Sequence, residues 1–228
     1  MCNLLTQNIR QVKQRIAVAE KDSKRISGIV QLMAVSKTRS ANEIRKAHMQ
    51  GIIHFGENYL QEALPKQEQL ADLPIIWHFI GPIQSNKTAD ISRCFDWVHG
   101  VDRIKIARRL NDQRGEELPP LNICIQINIS GEVTKSGVKI TDTLELAESV
   151  SLLRKLKLRG LMVIPAPNQS LDLLSRQYEQ TKGLLLDLNK AGFTLDTLSM
   201  GMSNDLECAV AAGSTMVRVG TAVFGPRN

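Results

Sequence analysis

The chain has 228 residues, 43% hydrophobic and 23% charged, enough for one domain with a full core. No apolar run reaches the ~20 residues of a membrane helix, and the start Met1-Cys2-Asn3-Leu4 lacks the basic region and apolar stretch of a secretory signal. The net charge of +6 is spread over several helix-like segments, with 2 Trp, 2 Tyr and 5 Phe and no RNP or zinc-finger pattern, so it implies a modest attraction for anionic ligands rather than a nucleic-acid partner.

Residues 4–26 read as a helix with one apolar stripe, Ile9, Val12, Ile16 and Ala19. Strand-like apolar runs then fall near 29–36, 52–57, 75–80, 97–101, 121–129, 159–164, 195–200 and 215–220. Helical periodicity fills 41–50, 60–71, 85–95, 103–114, 142–157, 171–191 and 205–212 between them. Strict alternation predicts a parallel sheet. Eight such units predict an α/β fold, a single (β/α)8 TIM barrel over 1–228. A doubly wound open sheet is the alternative. The last strand has no full helix after it, so the N-terminal segment 1–28 is expected to pack on the barrel where an eighth helix is missing. Pro119-Pro120 and Pro165-Ala166-Pro167 read as loop breaks within one domain.

The first strand runs Leu32-Met33-Ala34-Val35-Ser36-Lys37, and alternation puts Met33, Val35 and Lys37 on one face. Ser40-Ala41-Asn42-Glu43 is a capping box that starts the next helix, so Lys37 falls at the C-terminal end of a barrel strand, where active sites of this fold lie. A lysine partly desolvated there suits Schiff-base chemistry, although an ordinary surface lysine would look the same. His54 to Tyr59 closes the second strand and His78 to Lys87 the third; Asn58 and His78 are candidates for the same mouth. Lys135-Ser136-Gly137 is a weaker anion-site candidate. After strand 7, Gly201 with Ser203, and after strand 8, Gly220 with Thr221, supply the glycine backbone and hydroxyl donors of a phosphate site. Asn204 is expected to cap the short helix beyond, with Glu207 three residues on. Val217 and Val219 call for burial, which turns Arg218 inward. A buried cation needs an acceptor: a pyridine nitrogen, a phosphate, a carboxylate, or an acidic side chain in an internal salt bridge. Cysteines at 2, 94, 124 and 208 form no C-x-x-C; they read as small hydrophobes in a reducing cytoplasm, not as a zinc site or a disulfide framework.

Together, Ala34-Val35-Ser36-Lys37, Phe55 to Tyr59, Trp77 to Pro82 with Gln84 to Lys87, Lys135 to Gly137, Gly160 to Met162, Leu198 to Ser203 and Val217 to Thr221 resemble, in order, the YggS/PROSC family of pyridoxal phosphate-binding proteins. Asn204 departs from the acidic or other polar residue common there. The resemblance implies a barrel like the N-terminal domain of alanine racemase, with pyridoxal 5'-phosphate as cofactor in a Schiff base on Lys37. It implies that Ser203, Gly220 and Thr221 hold the phosphate, with Met202 in the same loop. Arg218 would face the pyridine nitrogen and Asn58 would lie near the ring. A permanently charged arginine should leave that nitrogen unprotonated, which disfavours carbanion chemistry without forbidding it.

Two functions follow. One is a non-catalytic cofactor-binding protein of vitamin B6 and amino-acid homeostasis, cytoplasmic and monomeric, that passes the cofactor to apo-forms of pyridoxal phosphate enzymes. The other is a small amino-acid racemase. Two-base racemisation needs a second acid/base opposite the lysine. The only tyrosines are Tyr59, read as a packing residue near the mouth, and Tyr178, in an outer helix. The non-enzymatic expectation is therefore the favoured one.

Overall fold

A computed structural model describes residues 4–132 and 136–226. Eight parallel strands close into a barrel in sequence order. They are β1 (Gln31–Val35), β2 (His54–Glu57), β3 (Ile76–Phe79), β4 (Trp97–Val101), β5 (Leu121–Ile127), β6 (Leu156–Val163), β7 (Thr197–Ser199) and β8 (Met216–Val219). Pairing of Gln31 with Met216 through Ala34 with Val219 joins the first strand to the last, which eliminates the open sheet.

The helices are α1 (Leu4–Asp22), α2 (Ala41–His48), α3 (Leu60–Gln69), α4 (Thr88–Cys94), α5 (Ile104–Gln113), α6 (Thr143–Ser151), α7 (Leu171–Lys190), α8 (Leu206–Ala211) and α9 (Thr221–Phe224). The α2 capping box forms as expected: the Glu43 N–H donates to Ser40 Oγ at 3.3 Å, and the Ser40 N–H donates to Glu43 Oε2 at 2.8 Å. Two helix ends differ from expectation. The helix expected over 4–26 stops at Asp22. The helical pattern over 142–157 stops at Ser151, and Leu156 to Leu158 open β6 instead, because the long strand β5 pairs with them from Leu121 onward.

The stripe Ile9, Val12, Ile16 and Ala19 buries α1 against the barrel. Asn8 Nδ2 donates to the Val223 carbonyl of α9 at 3.1 Å, Arg15 pairs with Glu207 of α8 at 2.6 Å, and Arg25 donates to the Val210 and Ser214 carbonyls. Thus α1 stands beside α8 and α9, where a full eighth helix would otherwise lie.

Most of the apolar core lies between strands and helices, where Ala34, Phe55, Val98, Ile123, Leu161, Leu198, Val217 and Val219 point outward. Alternate residues fill the barrel. A small apolar layer of Trp97, Cys124 and Met162 is separate from that outer core. Beside it the interior is polar: His78, His99 and Ser199 are fully buried and Arg218 nearly so. Barrels of this class are commonly filled by branched aliphatic side chains, so this filling sets the chain apart. Among the described residues no helix is long and apolar enough to cross a membrane.

Candidate functional site

Lys37 lies two residues beyond β1, half-buried. Thr38 has φ +65°, a left-handed conformation that costs a β-branched residue ~1–2 kcal/mol. The Glu62 carboxylate holds this bend by accepting from the Thr38 N–H at 2.9 Å. On the other side, Ser36 is fixed by a buried pair. Ser36 Oγ donates to Glu57 Oε1 at 2.7 Å; Lys66 Nζ donates to the same oxygen at 2.8 Å and to the Ser36 carbonyl at 3.0 Å. Burial pushes the Glu57 pKa up, and the bonds from Lys66 and Ser36 oppose that without cancelling it. Lys37 is thus anchored through both of its neighbours.

A cavity of about 380 Å³ opens at this end of the barrel. Lys37, Asn58, Met202, Ser203, Arg218, Gly220 and Thr221 all line it. The β7–α8 loop is held by Asp205, which accepts from the Met202 N–H and, at 2.8 Å, from the Tyr178 hydroxyl. Arg15 of α1 donates to the Ser203 carbonyl at 2.9 Å. Ser203 Oγ accepts from the Ala222 N–H at 3.3 Å, which ties the loop to the first turn of α9 after Gly220. Hydroxyls and backbone N–H groups therefore converge on one wall, an arrangement suited to a phosphate.

Asn204 does not cap α8. That helix starts at Leu206 after Asp205, with no side-chain cap. The buried Tyr178 phenol and the Met202 N–H engage the Asp205 carboxylate and set the turn. Tyr178 is fully buried, and burial next to Asp205 pushes its pKa up, so the phenol stays protonated as a donor.

Arg218 points inward as parity requires. Its guanidinium donates to the Ser199 carbonyl, to Ser199 Oγ at 2.9 Å and to the Val163 carbonyl at 2.8 Å. No salt bridge reaches it among the described residues, so the internal acidic partner is absent there and neutral oxygens take that role. Burial lowers its pKa. Asn58 carries a further mark of an incomplete site: its Oδ1 is buried with no hydrogen-bond partner.

The Asn58 backbone is fixed by close approach to Gly81, where an added Cβ would stand 2.1 Å from the Asn58 carbonyl oxygen. Gly81→Ala is expected to push Asn58 aside and to destabilise the fold by about 1–3 kcal/mol in urea titration.

His78 does not join Asn58 at the mouth. It is fully buried inside the barrel, because it lies level with Gly56, two residues before Asn58, and the side chain alternates inward between Trp77 and Phe79. Tyr59 is 51% exposed and does not pack as expected. Cys124 is fully buried, with its thiol pushed up to about 12, whereas Cys94 and Cys208 are half-buried. Lys135 lies outside the described residues; its neighbour Ser136 is exposed, and the Ser136 carbonyl accepts from Gln126. Sequence reasoning missed Arg39, which lines the cavity and donates to the Gly225 and Pro226 carbonyls. Its one signal was a second base two residues after Lys37. Among the described residues no cluster of His, Cys, Asp and Glu fits a metal ion.

The family model for the alanine racemase N-terminal domain matches residues 3–228. A pyridoxal phosphate homeostasis protein of Pseudomonas aeruginosa is 54% identical over 98% of this chain and 96% of its own length. One of Escherichia coli is 47% identical over 99% and 98%. The solved structure of PipY from Synechococcus elongatus with PLP bound is 37% identical, covers 92% of this chain and 100% of its own, and superposes with a TM-score of 0.82. With this barrel, this cavity and these relatives, the chain belongs to the family of pyridoxal phosphate homeostasis proteins.

Proposed function

We propose that the chain binds pyridoxal 5'-phosphate in this cavity as a Schiff base on Lys37. It serves intracellular vitamin B6 and amino-acid homeostasis as a cytoplasmic monomer without catalytic turnover, and supplies the cofactor to apo-enzymes. One observation carries the reading: Lys37, the Ser203–Gly220–Thr221 wall and the buried Arg218 cation share one cavity with the unpartnered Asn58 Oδ1. The bound PLP of PipY supports it.

In this reading Lys37 Nζ condenses with the aldehyde and releases water. Ser203, Gly220 and Thr221 receive the phosphate, and Met202 and Asn58 flank the ring. The cofactor would supply an electron sink for amino-acid chemistry. Arg218 opposes that use: a guanidinium donates only, and it leaves a ring nitrogen facing it unprotonated. Racemisation also needs a second acid/base; among the described residues the carboxylate that lines the cavity, Asp205, is held by the Met202 N–H and the Tyr178 hydroxyl.

Borohydride reduction after incubation with the cofactor, followed by peptide mass mapping, tests the reading. A pyridoxyl-phosphate adduct is expected on the Lys37 peptide and is expected to vanish in a folded Lys37→Ala variant. No adduct with excess cofactor would refute the binding claim. Robust alanine racemisation that depends on Lys37 would refute the non-catalytic one.

A further inference from the structure

The cavity is connected to the opposite face of the barrel by a column of hydrogen bonds. His54 Nδ1 and His78 Nε2 are 2.9 Å apart, as are His78 Nδ1 and His99 Nε2, and His99 Nδ1 and Ser199 Oγ. Ser199 Oγ then accepts from Arg218, which lines the cavity. At the far end, His54 lines a second cavity of about 410 Å³, together with Lys13 and Glu20 of α1 and Gln31 of β1. Trp97 stacks on both His78 and His99 and shields the column, with the Arg159 guanidinium 4.7 Å over its ring.

Each neutral imidazole has one N–H and one acceptor nitrogen. A ring that accepts from one neighbour must donate to the other, so the three rings share one tautomeric state. Arg218 selects it. Its N–H takes one lone pair of Ser199 Oγ and its positive field favours an acceptor nitrogen on the facing ring, so the serine hydrogen goes to His99 Nδ1; His99 and His78 then donate from Nε2, and His54 presents Nε2–H to the second cavity. Every dipole then turns its negative end toward the cation. Burial first, and then the field of Arg218, keep His99 neutral.

We propose that His54, His78, His99 and Ser199 are a positioning relay for Arg218, one that reports the charge of His54 in the N-terminal-face cavity to the cofactor pocket. This rests on the reading that the pocket holds pyridoxal phosphate. An imidazolium at His54 donates from Nδ1. His78 and His99 must then each accept at Nε2 and donate from Nδ1, so Ser199 Oγ meets two donors, His99 and Arg218, and its own hydrogen turns away. The rings gain one proton from solvent, and Arg218 must share Ser199 Oγ with a second donor whose positive end faces the guanidinium. The charged and titratable groups around the relay are Lys13 and Glu20 from α1, Arg218 from β8, Cys124 from β5 and Arg159 from β6.

The chain has four histidines, so 15N NMR of the histidine-labelled apo-protein resolves the relay without any ligand. Above neutral pH, His54, His78 and His99 are expected as Nε2–H tautomers, and His78 and His99 should switch together to Nδ1–H as His54 ionises. Opposite tautomers at His78 and His99, or no switch while His54 titrates, would overturn the relay. Pyridoxal phosphate titration of His54→Leu, at the half-buried end of the column, is the second arm. Affinity is expected to change by about fivefold and to lose its acid-side pH dependence, with melting as the check on folding. Wild-type affinity and pH profile in that variant would overturn the relay while leaving the cofactor reading intact. No binding by the wild-type protein would refute the cofactor reading, and the apo spectra would then decide the column alone.

Discussion

Lys66→Met is expected to destabilise the protein by about 3–5 kcal/mol, read as the shift in urea midpoint near neutral pH. Glu57 is fully buried, and Lys66 is its cationic partner at 2.8 Å. Removal of the ammonium strands a carboxylate that water cannot reach. The variant should therefore recover part of its loss as pH falls and Glu57 takes up a proton, because burial already raises that pKa. The double variant Glu57→Gln, Lys66→Met removes both charges and should be markedly more stable than Lys66→Met alone. A small, pH-independent loss in Lys66→Met would show that the pair does not anchor Ser36, and with it the approach to Lys37.

Acid should act on the histidine column with comparable force. His78 and His99 are fully buried; desolvation first, then neighbouring histidines and Arg218, push His78 well below 6.5 and His99 to about 3. The unfolded chain binds protons at these residues below about pH 6.5 while the native rings stay neutral, so stability falls as pH drops from there toward 3. Each ring contributes about 1.4 kcal/mol per pH unit, so the pair should cost about 4 kcal/mol between neutral pH and pH 5. That is a large share of the ~5–15 kcal/mol that holds a domain together. Urea titrations at pH 7.5, 6 and 5 measure it. A stability flat over this range would mean that the rings are hydrated or already charged in the native state.

What was legible in the sequence follows from periodicity. Alternation at Val217-Arg218-Val219 put the arginine inside, and the capping box after Lys37 fixed the end of β1. What was hidden depends on register. His54, His78 and His99 each sit at an inward position of their own strand, but only the stagger of β2, β3 and β4 brings their nitrogens together, and only closure onto β7 and β8 adds Ser199 and Arg218. Lys66 reads as a helix-surface lysine until α3 is laid beneath β1. The Asn204 cap failed for a similar reason: the Asp205 carboxylate is claimed by Tyr178 of α7, a partner that no local pattern reveals.

Closure of the barrel through Gln31 and Met216 also bears on how the chain is made. During synthesis β1 emerges before β8, so the backbone edge of β1 that pairs with β8 stays unpaired while six further strands appear. Pairing so distant in sequence is slow to form and leaves partly assembled chains open to edge-to-edge association. Gln31, exposed at the rim of β1, puts a polar side chain on that edge in place of an apolar one.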